Sequence, residues 1–176
     1  ALRLADDEQV RSAYANWGNV TAEEKQAVLQ KVADFTSRDL GTEPTALKFE
    51  KMKRDLLGVH RNGEIVVNSA RFADIQLLQN PAHETGHEFQ RQLAARGPQA
   101  GFSLGANEND RAALFAANGR YYIYDDERGG WQAYANQPME KHSRYIGDEI
   151  MRIVQSKVQE ERYQKELQQS QGKSDD

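Results

Sequence analysis

The sequence predicts an α+β domain that is mostly helical, with a small antiparallel sheet directly before a helix that carries two histidines. Three observations lead to this prediction. Apolar residues recur at helical spacing through most of the 176-residue chain. The pair Asn62-Gly63 separates two short apolar runs, which is typical of a β-hairpin. Capping residues and glycines mark where several of the helices begin and end.

The first forty residues are expected to be helical. Scattered apolar positions over residues 4–16 predict a short helix, and Trp17-Gly18-Asn19 predicts a turn. Thr21 and Glu24 have the spacing of a capping box. The apolar residues that follow recur at helical spacing, and this second helix is expected to end near Leu40-Gly41.

The next segment is expected to form the sheet. Alternating apolar positions predict a strand within Thr45 to Met52. Residues 56–60 and 64–68 flank Arg61-Asn62-Gly63, so residues 56–68 predict a hairpin. His60 falls near the tip of this hairpin, where we expect it to be exposed and without function.

A helix follows the hairpin and should end at Ala95 or Arg96, because Gly97-Pro98 comes next. Apolar positions from Phe72 to Ala82 already show helical periodicity. Pro81 then has two interpretations. It either kinks one long helix, or it is the first residue of a new helix capped by Asn80.

The last third of the chain predicts two more helices. The first runs from Asn107 to Asn118 and ends at Gly119; extended residues 121–124 and a turn at 125–130 follow. The acidic residues of that turn lack the spacing of an EF-hand, so we expect a solvated loop. Pro138 is suited to begin a well-buried final helix. Residues 1–155 are predicted to be a single domain, and residues 156–176 a polar helical tail that is disordered from Ser170 onward.

Composition and charge restrict the function. The net charge of −4 comes without any basic stripe, which argues against nucleic acid as a partner. No apolar run approaches the length of a membrane span. The chain has no cysteine, so a metal site must use histidine and carboxylate ligands. It starts Ala1-Leu2-Arg3, without methionine, which suggests a piece of a longer protein.

The residues His83-Glu84-Thr85-Gly86-His87 match the pattern H-E-x-x-H. On a helix, positions i and i+4 lie on one face, so His83 and His87 can bind one zinc ion at about 2 Å. Glu84 projects to the side of that face, where it can reach a water on the metal and act as general base. The alternative interpretation is an exposed polar helix face on which two histidines fall by accident.

A catalytic zinc usually has three protein ligands. Glu140, in the first turn of the final helix, is the leading candidate for the third. Gly147 shares its helix face, and together with Gly86 it indicates that two helices cross closely beside the metal. His142 is the competing candidate, although its position on an apolar stripe favours a core role.

Two further roles remain to be assigned at such a site. Asp148 and Glu149 are candidates to hydrogen-bond a ligand histidine from behind. Tyr134 is our candidate for stabilising the negative charge that develops in catalysis. Three other tyrosines are less favoured for that role, namely Tyr121, Tyr122 and Tyr124.

The motif at residues 83–87, followed much later by Gln137-Pro138-Met139-Glu140, resembles the zincin metallopeptidases of the gluzincin type. The resemblance covers roughly residues 56–153. It implies a zincin-like fold, a zinc ion held by His83, His87 and Glu140, and an edge strand at residues 64–68 that holds the substrate backbone. The chain is also similar to compact metallopeptidase domains at the ends of bacterial toxins and secreted effectors. That similarity implies delivery into a target cell and a cognate inhibitor or immunity protein as partner.

Three functions follow, in order of preference. The first is a zinc-dependent metallopeptidase that hydrolyses peptide bonds of a protein or peptide substrate. The second is a non-catalytic protein-binding module on the same scaffold. The third is a metal-free α+β interaction domain whose charged C-terminal helix pairs with a partner. The sequence does not identify the substrate.

Overall fold

The structure, a computed structural model, describes residues 2–53, 55–61, 63–96, 106–124 and 130–171. These residues form seven α-helices and three strands, which confirms the mostly helical α+β fold. The helices are α1 (Leu2–Ala5), α2 (Glu8–Ala15), α3 (Ala22–Leu40), α4 (Asn80–Arg96), α5 (Ala106–Arg120), α6 (Gly130–Asn136) and α7 (Pro138–Gln171). The strands are β1 (Leu47–Glu50), β2 (Gly58–Arg61) and β3 (Glu64–Asn68).

The sheet has the strand order β1-β3-β2. Strands β2 and β3 form the expected antiparallel hairpin, and β1 adds to it in parallel, so the sheet is mixed rather than antiparallel. The expectation that residues 64–68 form an edge strand is wrong, because β3 is the central strand. Its residues Ile65, Val66 and Val67 are all fully buried, as is typical of a strand covered on both faces. The edge strand that contacts α4 is β2.

The N-terminal helices begin and end at local signals. Thr21 and Glu24 form the predicted capping box, and Gly41 ends α3 with a φ of 68°. The single helix expected over residues 4–16 is instead two helices, because Asp7 caps a new one. The Asp7 carboxylate accepts a hydrogen bond from the backbone N–H of Val10.

The main core lies between the sheet, α3, α4 and α7. Its buried members come from all of these elements, and include Val28, Val32, Ile65, Leu78, Ala82, Ile150 and Val154. Helix α4 therefore has α3 on one side and α7 on another, and it contacts the sheet through β2 and β3. This arrangement places the two motif histidines between the sheet edge and α7.

The start of α4 resolves the two interpretations of Pro81. A 3-10 turn over residues 75–79 leads directly into α4, and Asn80 has helical dihedral angles of −60° and −45°. Asn80 is therefore not an extended N-cap, and Pro81 lies in the first turn of α4, where its missing N–H costs no hydrogen bond. Helix α4 ends at Arg96, as expected.

Several expectations for the last third need correction. Helix α5 continues through Gly119 to Arg120, and residues 130–136 form a short helix, α6, that the sequence analysis did not predict. Helix α7 begins at Pro138 as expected and continues without a break past residue 155 to Gln171. Residues 170 and 171 are thus helical. The predicted loop at 97–105, the acidic residues 125–129 and the end at 172–176 lie outside the described residues.

No helix in the described part of the chain combines the length and the apolar character that crossing a membrane requires. The prediction of a domain boundary near residue 155 stays a prediction.

Candidate metal centre

The candidate site is built where α4 and α7 cross, and two glycines allow this close approach. A Cβ atom on Gly86 would lie 2.8 Å from the hydroxyl oxygen of Ser143 and 3.2 Å from its Cα atom. A Cβ atom on Gly147 would lie 3.2 Å from the carbonyl oxygen of Gln79. The crossing expected from the positions of the two glycines is therefore present, with almost no free space between the helices.

The crossing brings together three side chains that can bind a metal. The Nε2 atoms of His83 and His87 are 3.1 Å apart. Glu140 from α7 completes the cluster, with Oε1 lying 3.2 Å from Nε2 of His87 and Oε2 lying 3.6 Å from Nε2 of His83. Glu140 is fully buried, so its carboxylate is surrounded by protein and faces the two imidazoles.

These distances fit a tetrahedral zinc site. Ligand atoms at 2.0–2.1 Å from a tetrahedral ion lie about 3.3 Å from one another. The three separations in the cluster, 3.1, 3.2 and 3.6 Å, scatter around that value. In addition, the Oε2 atom of Glu140 is buried without a hydrogen-bond partner. Because a buried anionic oxygen without a partner is costly, a cation between the three side chains would satisfy it.

The electrostatics of the cluster also favour a positive charge at its centre. Burial and the neighbouring His87 lower the pKa of His83 to about 4, so this imidazole is neutral and can bind a metal. Burial works against a charge on His87, but hydrogen bonding to Glu140 outweighs it and raises the pKa of His87. Glu140 shows the reverse: burial opposes its charge, yet His87 and Tyr122 hold its pKa down at about 2. The metal-free cluster therefore attracts a proton, which a metal ion would replace.

Glu84 lies beside the cluster and is engaged elsewhere. Its candidate ligand atom and those of His83 and His87 lie within 4.8 Å of one another. Its carboxylate is held by the side-chain amide of Asn80 at 2.9 Å and by the backbone N–H of His60. Since these hydrogen bonds turn it away from the two imidazoles, we assign the ligand position to Glu140. Burial raises the pKa of Glu84 to about 7, which is the range that suits a general base at neutral pH.

Two tyrosines face Glu140. The hydroxyl group of Tyr122 donates a hydrogen bond to Oε1 of Glu140. Tyr134, the candidate from the sequence, lies nearby, with its ring centroid 6.1 Å from that of Tyr122. Burial and the Glu140 carboxylate raise the pKa of both phenols, so both keep their protons and can donate hydrogen bonds. The sequence analysis gave Tyr122 too little weight, because an extended run of tyrosines carries no signal for the one that points inward.

The remaining candidates do not reach the cluster. His142 is packed between two phenylalanine rings, with centroids 5.8 Å from Phe89 and 5.3 Å from Phe115, as expected for a core histidine. Glu149 pairs with Arg152 on the same helix, and Asp148 is exposed. Neither acid therefore bonds to His83 or His87 among the contacts that the structure describes.

Two other polar side chains contact His87 instead. The Nδ1 atom of His87 lies 3.0 Å from Oε1 of Gln90 and 3.3 Å from Oγ of Ser143. Both residues are fully buried. The sequence analysis missed them, although Gln90 lies three residues after His87 and therefore one turn along the same helix face.

The expectation that His60 is exposed at a hairpin tip is wrong. His60 lies within β2, and only 11% of its side chain is exposed. Its Nε2 atom is 2.8 Å from Oε2 of Glu88, which also accepts hydrogen bonds from Arg91 and Gln92. Through this contact and through its backbone N–H to Glu84, His60 ties the edge strand to the motif helix.

A cavity of about 330 Å³ opens onto the cluster. Its wall includes His83, Glu84 and Glu140 together with Trp131, Tyr134, Leu57 and Arg144. A larger cavity of about 480 Å³ lies between α2 and α3, but none of the residues that line it is a histidine. Only the smaller of these two cavities therefore combines candidate metal ligands with a carboxyl group of raised pKa.

Comparison with known proteins finds no family model, curated protein or solved structure that matches the chain. The resemblance to gluzincin metallopeptidases, and the toxin or effector setting that it implies, therefore stays a prediction that depends on the motif residues.

Proposed function

We propose that the protein is a zinc-dependent hydrolase of peptide bonds. The observation that supports this most is the cluster of His83, His87 and Glu140, with separations of 3.1, 3.2 and 3.6 Å and with one buried carboxylate oxygen left without a partner. When bound there, a zinc ion supplies a Lewis acid that polarises a carbonyl group and lowers the pKa of a water molecule.

Each residue of the site then has a role. His83, His87 and Glu140 hold the ion, and the cavity of about 330 Å³ leaves one side of the cluster open to substrate. Glu84 takes a proton from the attacking water and passes it to the leaving amine. Its raised pKa, about 7, suits both halves of this transfer.

Hydrogen-bond donors for the developing negative charge are available on the opposite wall. Tyr134 lines the cavity and keeps its phenolic proton, because burial and Glu140 raise its pKa. Arg144 lines the same wall, and its guanidinium makes a single long hydrogen bond of 3.3 Å, to the carbonyl oxygen of Ala135. Both side chains are therefore free to contact the substrate carbonyl group.

The test combines metal analysis with one substitution. Protein purified without a histidine tag should contain about one zinc ion per chain and should cleave an unstructured protein such as casein. Glu84→Gln keeps the size of the side chain but removes the base, so it should keep the zinc and lose cleavage. The matched control is Glu88→Gln, on the same helix but bonded to Arg91 and not to the cluster.

Two results would contradict the proposal. One is a wild-type protein that takes up no zinc when supplied with excess metal. The other is a Glu84→Gln variant that cleaves as fast as wild type. A wild-type protein that holds zinc but cleaves none of a broad set of peptides would instead support a non-catalytic binding module.

A further inference from the structure

The buried amide of Gln90 makes contacts on both sides of the α4–α7 crossing. Its side chain is fully buried, so both ends of the amide need hydrogen-bond partners. The nitrogen end lies 2.8 Å from the carbonyl oxygen of Met139 and 3.0 Å from Oγ of Ser143, both on α7. The oxygen end lies 3.0 Å from Nδ1 of His87 on its own helix.

The orientation of this amide follows from the chemistry of its partners. The Met139 carbonyl oxygen can only accept a hydrogen bond, so the amide end facing it must be the NH₂ group. A flipped amide would place two carbonyl oxygens 2.8 Å apart, and both would then lack a donor. The Gln90 carbonyl oxygen must therefore face His87.

The orientation of the amide in turn determines where His87 carries its proton. The Gln90 oxygen also only accepts, so a hydrogen bond at 3.0 Å requires a proton on Nδ1 of His87. Ser143 agrees with this, since its hydroxyl oxygen lies close to the same Nδ1 and accepts from the Gln90 amide. The neutral ring then has its lone pair on Nε2, the atom that faces His83 and Glu140.

We propose that Gln90 is a positioning residue, which keeps the proton of His87 on Nδ1 so that Nε2 is always presented to the metal. The metal in this inference rests on the proposed function, but the position of the proton belongs to the chain alone. Because Met139 is adjacent to Glu140, the same amide also links the orientation of one ligand to the helix turn that carries another.

The position of the proton can be measured directly. In metal-free protein labelled with ¹⁵N, at a pH where the His87 ring is neutral, NMR correlations between ring nitrogens and carbon-bound protons should show the proton on Nδ1. The same assignment should hold after zinc is added. A wild-type ring protonated on Nε2 in the metal-free protein would overturn the inference.

Two substitutions separate positioning from simple packing. Gln90→Met keeps the volume but offers no acceptor, so it should give a mixture of the two neutral forms and weaken zinc binding by about 10- to 100-fold. Gln90→Glu keeps an acceptor for Nδ1–H, and it should restore the single form and bring the zinc affinity to within about threefold of wild type. The matched control is Gln92→Met, since Gln92 bonds only to Glu88 at 2.8 Å.

The outcomes remain distinguishable from those for the proposed function. If Gln90→Met binds zinc as tightly as wild type and keeps the proton on Nδ1, Gln90 only packs and the inference is wrong. If the wild-type protein binds no zinc, the proposed function fails, yet the metal-free spectrum still decides the role of Gln90. If neither variant folds, the wild-type spectrum alone is decisive.

Discussion

Replacing Gly86 with alanine tests whether the α4–α7 crossing determines the geometry of the metal centre. Alanine is favoured over glycine inside a helix by about 1 kcal/mol, so without neighbours the change would stabilise the protein. Here the new Cβ atom would lie 2.8 Å from Oγ of Ser143, 3.1 Å from Cδ1 of Ile146 and 3.2 Å from the Ser143 Cα atom. A rotamer change does not relieve the contact with a backbone atom, so α7 must move away.

The expected size follows from these two opposing effects. Forcing an extra methyl group into a packed interior costs about 1–3 kcal/mol, which outweighs the helix preference. We therefore expect Gly86→Ala to lower the free energy of unfolding of the metal-free protein by about 0–2 kcal/mol. Zinc affinity should fall as well, because Glu140 moves with α7 while His83 and His87 stay on α4.

The assay is urea denaturation of metal-free protein, followed by a zinc titration against a competing chelator. The matched control is Gly119→Ala in α5, where an added Cβ atom would have no neighbour within 4 Å. That control should be as stable as wild type or more stable by up to about 1 kcal/mol, with unchanged zinc affinity. If Gly86→Ala behaves like Gly119→Ala in both measurements, the crossing does not constrain the site and our reasoning is wrong.

Three further predictions concern separate parts of the molecule. Glu140→Gln should abolish tight zinc binding, whereas His142→Phe should leave it unchanged, because His142 only packs between aromatic rings; equilibrium dialysis distinguishes the two, and equal affinities would refute our ligand assignment. Tyr122→Phe removes the hydrogen bond to Glu140 and should weaken zinc binding by about 10- to 100-fold in the same dialysis. Asp7→Ala removes a helix cap and an ion pair of 2.8 Å with Lys31, and should cost about 1 kcal/mol in urea denaturation at pH 7. Burial raises the pKa of Asp7, but Lys31 and the backbone N–H of Val10 outweigh it and lower the pKa below its usual value. The stabilisation by Asp7 is therefore complete above about pH 5 and is lost as the pH falls through the lowered folded-state pKa, so the two proteins should converge in acid.

The parts of the fold that could be predicted are those with local chemical signals. The capping box at Thr21 and Glu24, the glycine at position 41 and the hairpin at Gly63 each act within a few residues, so the sequence contains the whole interaction. The two histidines of the motif belong to the same class, because one helix turn relates them.

The parts that could not be predicted depend on contacts between distant segments. Strand β1 pairs with β3 across a gap of about fifteen residues, and this pairing makes β3 central rather than an edge strand. Tyr122 reaches Glu140 only because α5 and α7 bring them together, and no spacing in the chain indicates this. His60 was misjudged for the same reason, since its partner Glu88 lies 28 positions away.

The two tryptophans give this protein a built-in optical readout of its cleft. Trp17 is sealed in the core with 4% of its surface exposed, whereas Trp131 is 64% exposed and borders the cavity beside Tyr134. A peptide that settles in the cavity would shield the outer indole and shift its emission to shorter wavelength, while unfolding would wet the inner indole and shift emission to longer wavelength. Occupancy and denaturation would therefore move the spectrum in opposite directions, so fluorescence can monitor a ligand without any attached dye.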